Sequence, residues 1–172
     1  MADGDLQAAL DALIGSPVGS GRPAVAPDPV NQPMIRHWAA AFEDANPVYV
    51  DPEAAAASRH GQIVAPPLML QTWTMARVRI EGIRERGGAA RDLDPDTPIA
   101  VLADAGFRGT LATNSELEFD RYLRVGEELV ATATLHDVSE LKGTGLGVGY
   151  FVTWITTYHT AAGEEVGRQH FR

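Results

Sequence analysis

The sequence predicts an α+β domain in which one long helix lies across a curved antiparallel sheet. Two stretches carry that expectation. "PPLMLQTWTMARVRIEGIRERGG", Pro66 to Gly88, opens on a proline suited to a first helical turn and closes on a glycine pair. Its apolar residues fall on two neighbouring helical faces, Leu68/Thr72/Met75/Arg79 and Met69/Trp73/Ala76/Ile80, as expected of a helix covered on several sides. From Thr113 onward the texture is that of strands. "NSELEFDRYL" and "GEELVATATLHDVSEL" alternate, and "GYFVTWITTYHT" is rich in β-branched and aromatic residues. "AAGEEVGRQHFR" then supplies a glycine-centred turn and a last strand.

Residues 1–30 read as an N-terminal helix and a connector, and residues 31–172 as the main domain. Leu6, Leu10 and Leu13 make a helical stripe between Asp5 and Ile14. "GSPVGSGRPAVAPDPV" follows, with four prolines and three glycines, and predicts an extended connector. Asn31 is a good N-cap for a second helix, Pro33 is tolerated in its first turn, and Ile35, Trp38, Ala39 and Phe42 share one face. Pro47 ends that helix, because the residue before a proline avoids helical geometry. "DPEAAAAS" predicts a short alanine-rich helix, "GQIVA" a strand-like entry to the Pro-Pro corner, and "GGAARDLDPDTPIA" a loop. "GTGLGVG", Gly143 to Gly149, lacks the lysine and following helix of a phosphate loop and reads as a hairpin connection or bulge.

Composition narrows the function classes. The chain has 172 residues, 45% hydrophobic and 22% charged, which suits a globular domain with a substantial core. A net charge of −9 repels nucleic acid and anionic membranes at long range. There is no cysteine, so disulfides, thiolate nucleophiles and Cys-ligated zinc are excluded together. No apolar run approaches the roughly 20 residues that span a bilayer. The N-terminus is acidic and weakly apolar, unlike a secretory signal, and a cytoplasmic location is expected.

The chemistry-bearing stretch is "DANPVYVDP", Asp44 to Pro52. With "GQIVAPPLML" and "FDRYLRVGEELVATATL", it resembles the MaoC-like (R)-specific enoyl-CoA hydratases of the hot-dog fold. That family's loop runs Asp, any residue, Asn, Pro, aliphatic, His, any residue, Asp or Glu, Pro. Here Asp44, Asn46, Pro47, Val48, Asp51 and Pro52 match, and Tyr49 stands where the histidine belongs. The resemblance implies that Asp and His together hold a water and add it across an enoyl-CoA double bond. It also implies that backbone N–H groups at the start of the central helix polarise the thioester oxygen. A general base works best near operating pH, and imidazole titrates near about 6.5. A phenol, at about 10, keeps its proton at neutrality. Pro66 and Pro67 have no N–H to offer as oxyanion donors. Both departures predict that no catalytic residue operates in this chain, with Asp44 and Tyr49 the degenerate motif positions.

Within the family the resemblance extends to the N-terminal half of the large subunit of actinobacterial steroid side-chain enoyl-CoA hydratases. It rests on "DPVNQPMI", "NPVYVDP", "IVAPPLMLQTWTM", "DAGFRGTLATN" and "RYLRVGEE". It implies a small MaoC-like partner carrying the intact Asp/His pair in a heterotetramer. It further implies an OB-fold domain, beyond these residues, that docks a steroid aldolase; the ending on strand residues fits a longer parent chain. The substrate would be a steroid CoA thioester, with no other cofactor. Met69, Leu70, Trp73, Phe107 and the loop before Ile99 are the candidate pocket lining.

Blander readings stand beside these. Tyr49 also reads as a core tyrosine with a local hydrogen bond, and each lining residue as ordinary packing. His60 is expected on an exposed turn, and His37 in solvent. His136, His159 and His170 lie in strands without metal-ligand spacing, so no metal is expected. Two other functions remain open: a self-sufficient homodimeric dehydratase or thioesterase working on Asp44, and an acyl-CoA or protein-binding module without turnover.

Overall fold

The structure, a computed structural model, describes residues 3–18, 21–75, 81–82, 84 and 97–172. Its frame is a five-stranded antiparallel sheet. The strands are β1 (Ala24–Val25), β2 (Ser115–Phe119), β3 (Leu129–Val138), β6 (Val152–Thr160) and β7 (Glu165–Phe171), ordered β1-β3-β6-β7-β2. β4 (Lys142–Thr144) and β5 (Gly147–Gly149) form a separate two-stranded hairpin, as "GTGLGVG" predicts.

Register assigns the two sheet faces. Ala24 pairs with Ala131, Ala131 with Tyr158, Tyr158 with Gly167 and Gly167 with Phe119, so these residues share one face. Alternation adds Leu129, Ala133, Leu135, Trp154, Thr156, Gln169, Phe171, Leu117 and Ser115 to it. Three of the four buried positions of β3, Leu129, Ala131 and Leu135, point this way, and the fourth, Val138, lies beyond the bulge. A bulge in β3 between Leu135 and Asp137 shifts the pairing with β6.

Two apolar clusters cover the inner face. The larger joins Met69, Leu70 and Trp73 to Leu129, Ala131, Tyr158 and Val166, with Ile35, Tyr49, Val64 and Leu123 around them. The smaller sets Leu6 and Leu10 of α1 (Asp3–Asp11) and Leu102 of α4 (Pro98–Asp104) against Leu135, Val138 and Val152. The N-terminal stripe is therefore a core element. The connector returns it to the sheet through a Pro17–Thr134 bridge and through β1.

α2 (Gln32–Ala41) starts where predicted: the Asn31 side chain accepts a hydrogen bond from the Met34 N–H at 3.0 Å. Ile35 and Ala39 are buried, but Phe42 is 67% exposed and stacks on Trp38 instead of entering the core. Asp51 caps α3 (Pro52–Ala57) through the Glu53 and Ala54 N–H groups.

The expected long helix takes a different form in its described part. Pro67–Thr74 is a 3-10 helix, and Met75 has already turned to extended geometry at φ −60° and ψ 130°. Three residues per turn place Leu70 and Trp73 in one row on the sheet, whereas Leu68 and Met75 of the other predicted face are exposed. Two β-branched threonines, Thr72 and Thr74, weaken α-helical preference just where it stops. The predicted continuation through Ala76 and Ile80 lies outside the described residues. The loop assigned to Gly87–Ala100 is helical from Pro98, because Thr97 accepts from the Ala100 N–H at 3.2 Å and Pro98 fits the first turn.

Gly167 sets how closely this helix approaches. A Cβ there would lie 2.4 Å from the Glu118 carbonyl oxygen and 2.9 Å from Leu70 Cδ2. Gly167→Ala is expected to destabilise the fold by about 1–3 kcal/mol through overpacking, read as a lower urea midpoint.

Candidate functional site

The Asp44–Pro52 loop is built almost wholly from local bonds. Glu43 adopts φ 53°, the left-handed turn that swings the chain off α2. Asp44 Oδ1 accepts from the Asn46 N–H at 3.0 Å, and Asn46 Oδ1 accepts from the Val48 N–H at 3.3 Å. The Asn46 cap starts the 3-10 turn Pro47–Tyr49. Gln32 Nε2 of α2 donates to the Tyr49 carbonyl at 2.9 Å and pins the turn from the other side.

That framework buries Tyr49 to 5% exposure. Its hydroxyl meets the side chains of Asn46 and Tyr122. Burial raises its pKa above the usual phenol value, and the neighbouring Tyr122 and Asp44 raise it further. Tyr49 is thus a protonated donor at any ordinary pH, and the core reading of its ring is also realised. Asp44 spends one carboxylate oxygen on the loop's own backbone.

Tyr122 was not among the candidates read from sequence, and no linear spacing to Tyr49 could have marked it. Arg121 holds it in place by bridging Glu164, at 2.7 and 2.8 Å, and Glu127. His60 stacks on Tyr122, ring centroids 4.7 Å apart. It is therefore half-buried rather than on an exposed turn, and burial followed by the Arg59 charge lowers its pKa. The His60 imidazole is thus a stacking partner of Tyr122, with its pKa held below the ordinary histidine value. At the next segment Pro66 and Pro67 open the 3-10 helix without side-chain capping, so neither gives an N–H to an anion.

Of the proposed lining residues, Met69, Leu70 and Trp73 lie together in the larger cluster, all at 5% exposure or less. Phe107 is elsewhere, in the smaller cluster, edge-on to Tyr150 at 5.2 Å. The loop before Ile99 lies largely outside the described residues. An open cleft of about 330 Å³ lies between the clusters, on the sheet's inner face. Its walls include Ala131, Ala133, Trp154, Thr156 and Phe171 of the sheet, Val18 of the connector, and Gln71 and Met75. Small residues on the sheet make this space. Sequence reasoning missed it because Ala131 and Ala133 read as ordinary strand positions until pairing places them opposite Tyr158 and Thr156.

Among the described residues no group of three His, Asp or Glu side chains could hold a metal ion. His37 is exposed, and His136 and His170 meet edge to face, centroids 6.1 Å apart. No described helix is long and apolar enough to cross a membrane.

Comparison with known proteins gives this geometry its family. Residues 18–169 match the family model "FAS1-like, dehydratase domain region", and the chain belongs to that MaoC-like hot-dog family. The 3-oxo-4,17-pregnadiene-20-carboxyl-CoA hydratase alpha subunit of Mycobacterium tuberculosis is 47% identical over 135 residues, 78% of this chain and 41% of that protein. A probable enoyl-CoA hydratase alpha subunit of Thermomonospora curvata is 38% identical over 174 residues, 100% of this chain and 52% of that protein. The chain thus spans about half the length of these curated relatives. The solved ChsH1–ChsH2 complex from M. tuberculosis superposes with a TM-score of 0.79 at 38% identity, covering 98% of this chain and 89% of that one. An (R)-hydratase from A. caviae, at TM-score 0.56 and 18% identity, shares the fold.

One titration in the cleft wall is measurable. Burial pushes the Tyr158 phenol up to about 12. The unfolded chain releases this proton near pH 10 and the folded chain does not, so stability present below pH 10 falls as pH rises toward 12. Urea midpoints measured across that interval should decline, and less steeply in Tyr158→Phe.

Proposed function

We propose that this chain is the non-catalytic, pocket-shaping subunit of a heteromeric (R)-specific 2-enoyl-CoA hydratase acting on steroid side-chain CoA thioesters. One observation carries the reading: the position that should hold an imidazole holds Tyr49, buried and with its proton held more tightly than in a free phenol. Water addition needs a positioned proton acceptor, and this loop supplies only the carboxylates Asp44 and Asp51, each already accepting backbone N–H groups. The relatives named as hydratase alpha subunits, and the two-component ChsH1–ChsH2 complex, support a second chain bearing the intact Asp/His pair. The thioester is substrate and no further cofactor is required. The aldolase-docking OB-fold domain and a cytoplasmic location belong to the same proposal; that domain would lie outside these 172 residues.

On this reading the chain does its work by shape. The inner-face cleft gives a bulky acyl group room beside the helix that carries Met69, Leu70 and Trp73.

The test is an enoyl-CoA hydration assay on the chain, on its partner and on the complex. The chain alone should be inactive and the complex active. Asp44→Asn or Tyr49→Phe in this chain should leave the complex's kcat within about twofold and its pH profile unmoved. Brisk turnover by the chain alone, lost in Asp44→Asn, would establish the self-sufficient reading instead.

A further inference from the structure

A chain of hydrogen bonds ending at the cleft has a direction that the protons fix. Tyr158 OH, 2% exposed, donates to Gln169 Oε1 at 3.0 Å. A phenol can donate or accept, but this buried hydroxyl has no other partner among the described residues, so its O–H is satisfied only when the Gln169 oxygen faces Tyr158 and the nitrogen faces away. Gln169 is itself 5% exposed, and its Nε2 gives one N–H to Ser115 Oγ at 2.9 Å and one to Gln71 Oε1 at 2.5 Å. Both its donors are then used. Gln71 is fixed in turn, with its oxygen turned inward to Gln169. Its Nε2 has no hydrogen-bond partner among the described residues. It is not sealed in protein either, since Trp73 Nε1 is the sole buried side-chain polar atom without a partner among those residues. Gln71, Gln169 and Tyr158 all line the cleft, whose remaining walls are largely apolar.

We infer that Gln71 is a specificity-determining residue whose amide N–H hydrogen-bonds an acceptor oxygen, such as a ring ketone, on the apolar acyl group in this cleft. The relay offers a donor and only a donor at its open end. It therefore selects an oxo group over a bare hydrocarbon, because a ligand without the acceptor leaves Gln71's desolvated N–H unpaired. The inference rests on the pocket-shaping reading and adds to it the chemistry of the ligand's distal end.

The experiment compares androst-4-en-3-one with androst-4-ene, the same skeleton without oxygen, by equilibrium dialysis against the full chain. Gln71→Glu is the main variant. It still accepts from Gln169 but has no amide N–H to give. Gln71→Leu is the second, and far-UV circular dichroism checks that both fold. The ketone should bind the unaltered chain about tenfold more tightly than the hydrocarbon, and both variants should erase that ratio, with the hydrocarbon binding Gln71→Leu more tightly than the unaltered chain because no N–H is left unpaired. Equal binding of the two compounds, or a ratio that survives in Gln71→Glu, overturns the inference and leaves the pocket intact. Binding of neither compound overturns the pocket reading and the inference with it.

Discussion

The seat of one short 3-10 helix on the sheet governs the rest of the molecule. Pro67–Thr74 drops Met69, Leu70 and Trp73 onto the inner face, and it can come so close because residue 167 has no side chain. From that contact the larger cluster spreads to Ile35 of the second helix and to Tyr49, so the functional loop is held by the same core that holds the helix. Where the helix stops, at Met75, the inner face opens into the cleft. Core and cavity are consecutive parts of one surface, divided by the end of a helix.

The Asp44–Pro52 loop shows how much of a turn's architecture rests on local bonds. Asp44, Asn46 and Asp51 each accept a backbone N–H, and those bonds shape the turns whether or not a base sits at position 49. Tyr49 then packs its ring inward and shares its hydroxyl with Asn46 and Tyr122. The framework persists because it folds the chain. Position 49 belongs to that folding role, since the Tyr49 ring is part of the larger apolar cluster.

Most of this was legible in the sequence wherever the cause was local. Asn31, Asp51 and Asn46 act as caps on neighbours two or three residues away, and the strands from Ser115 follow from alternation. Reading failed where partners come from far along the chain. Tyr122 and Tyr49 are 73 positions apart, Gln71 and Gln169 are 98 apart, and no periodicity links either pair. Helical propensity misjudged Pro67–Thr74, because an apolar face satisfies a 3-10 helix as well as an α-helix until packing chooses the row of contacts. Spacing puts Phe42 on one face with Ile35 and Ala39, but α2 ends at Ala41 and the ring finds Trp38 in place of a core.

Among the described residues the two apolar clusters stay separate, yet β3 passes through both, from Leu129 and Ala131 in one to Leu135 and Val138 in the other. The cleft is the gap between them. A rigid guest wedged there would act as a keystone. It would touch Val18 and Trp154 on one side and Ala131 and Tyr158 on the other, and so add a side-to-side brace to regions otherwise joined through the paired strands β3 and β6.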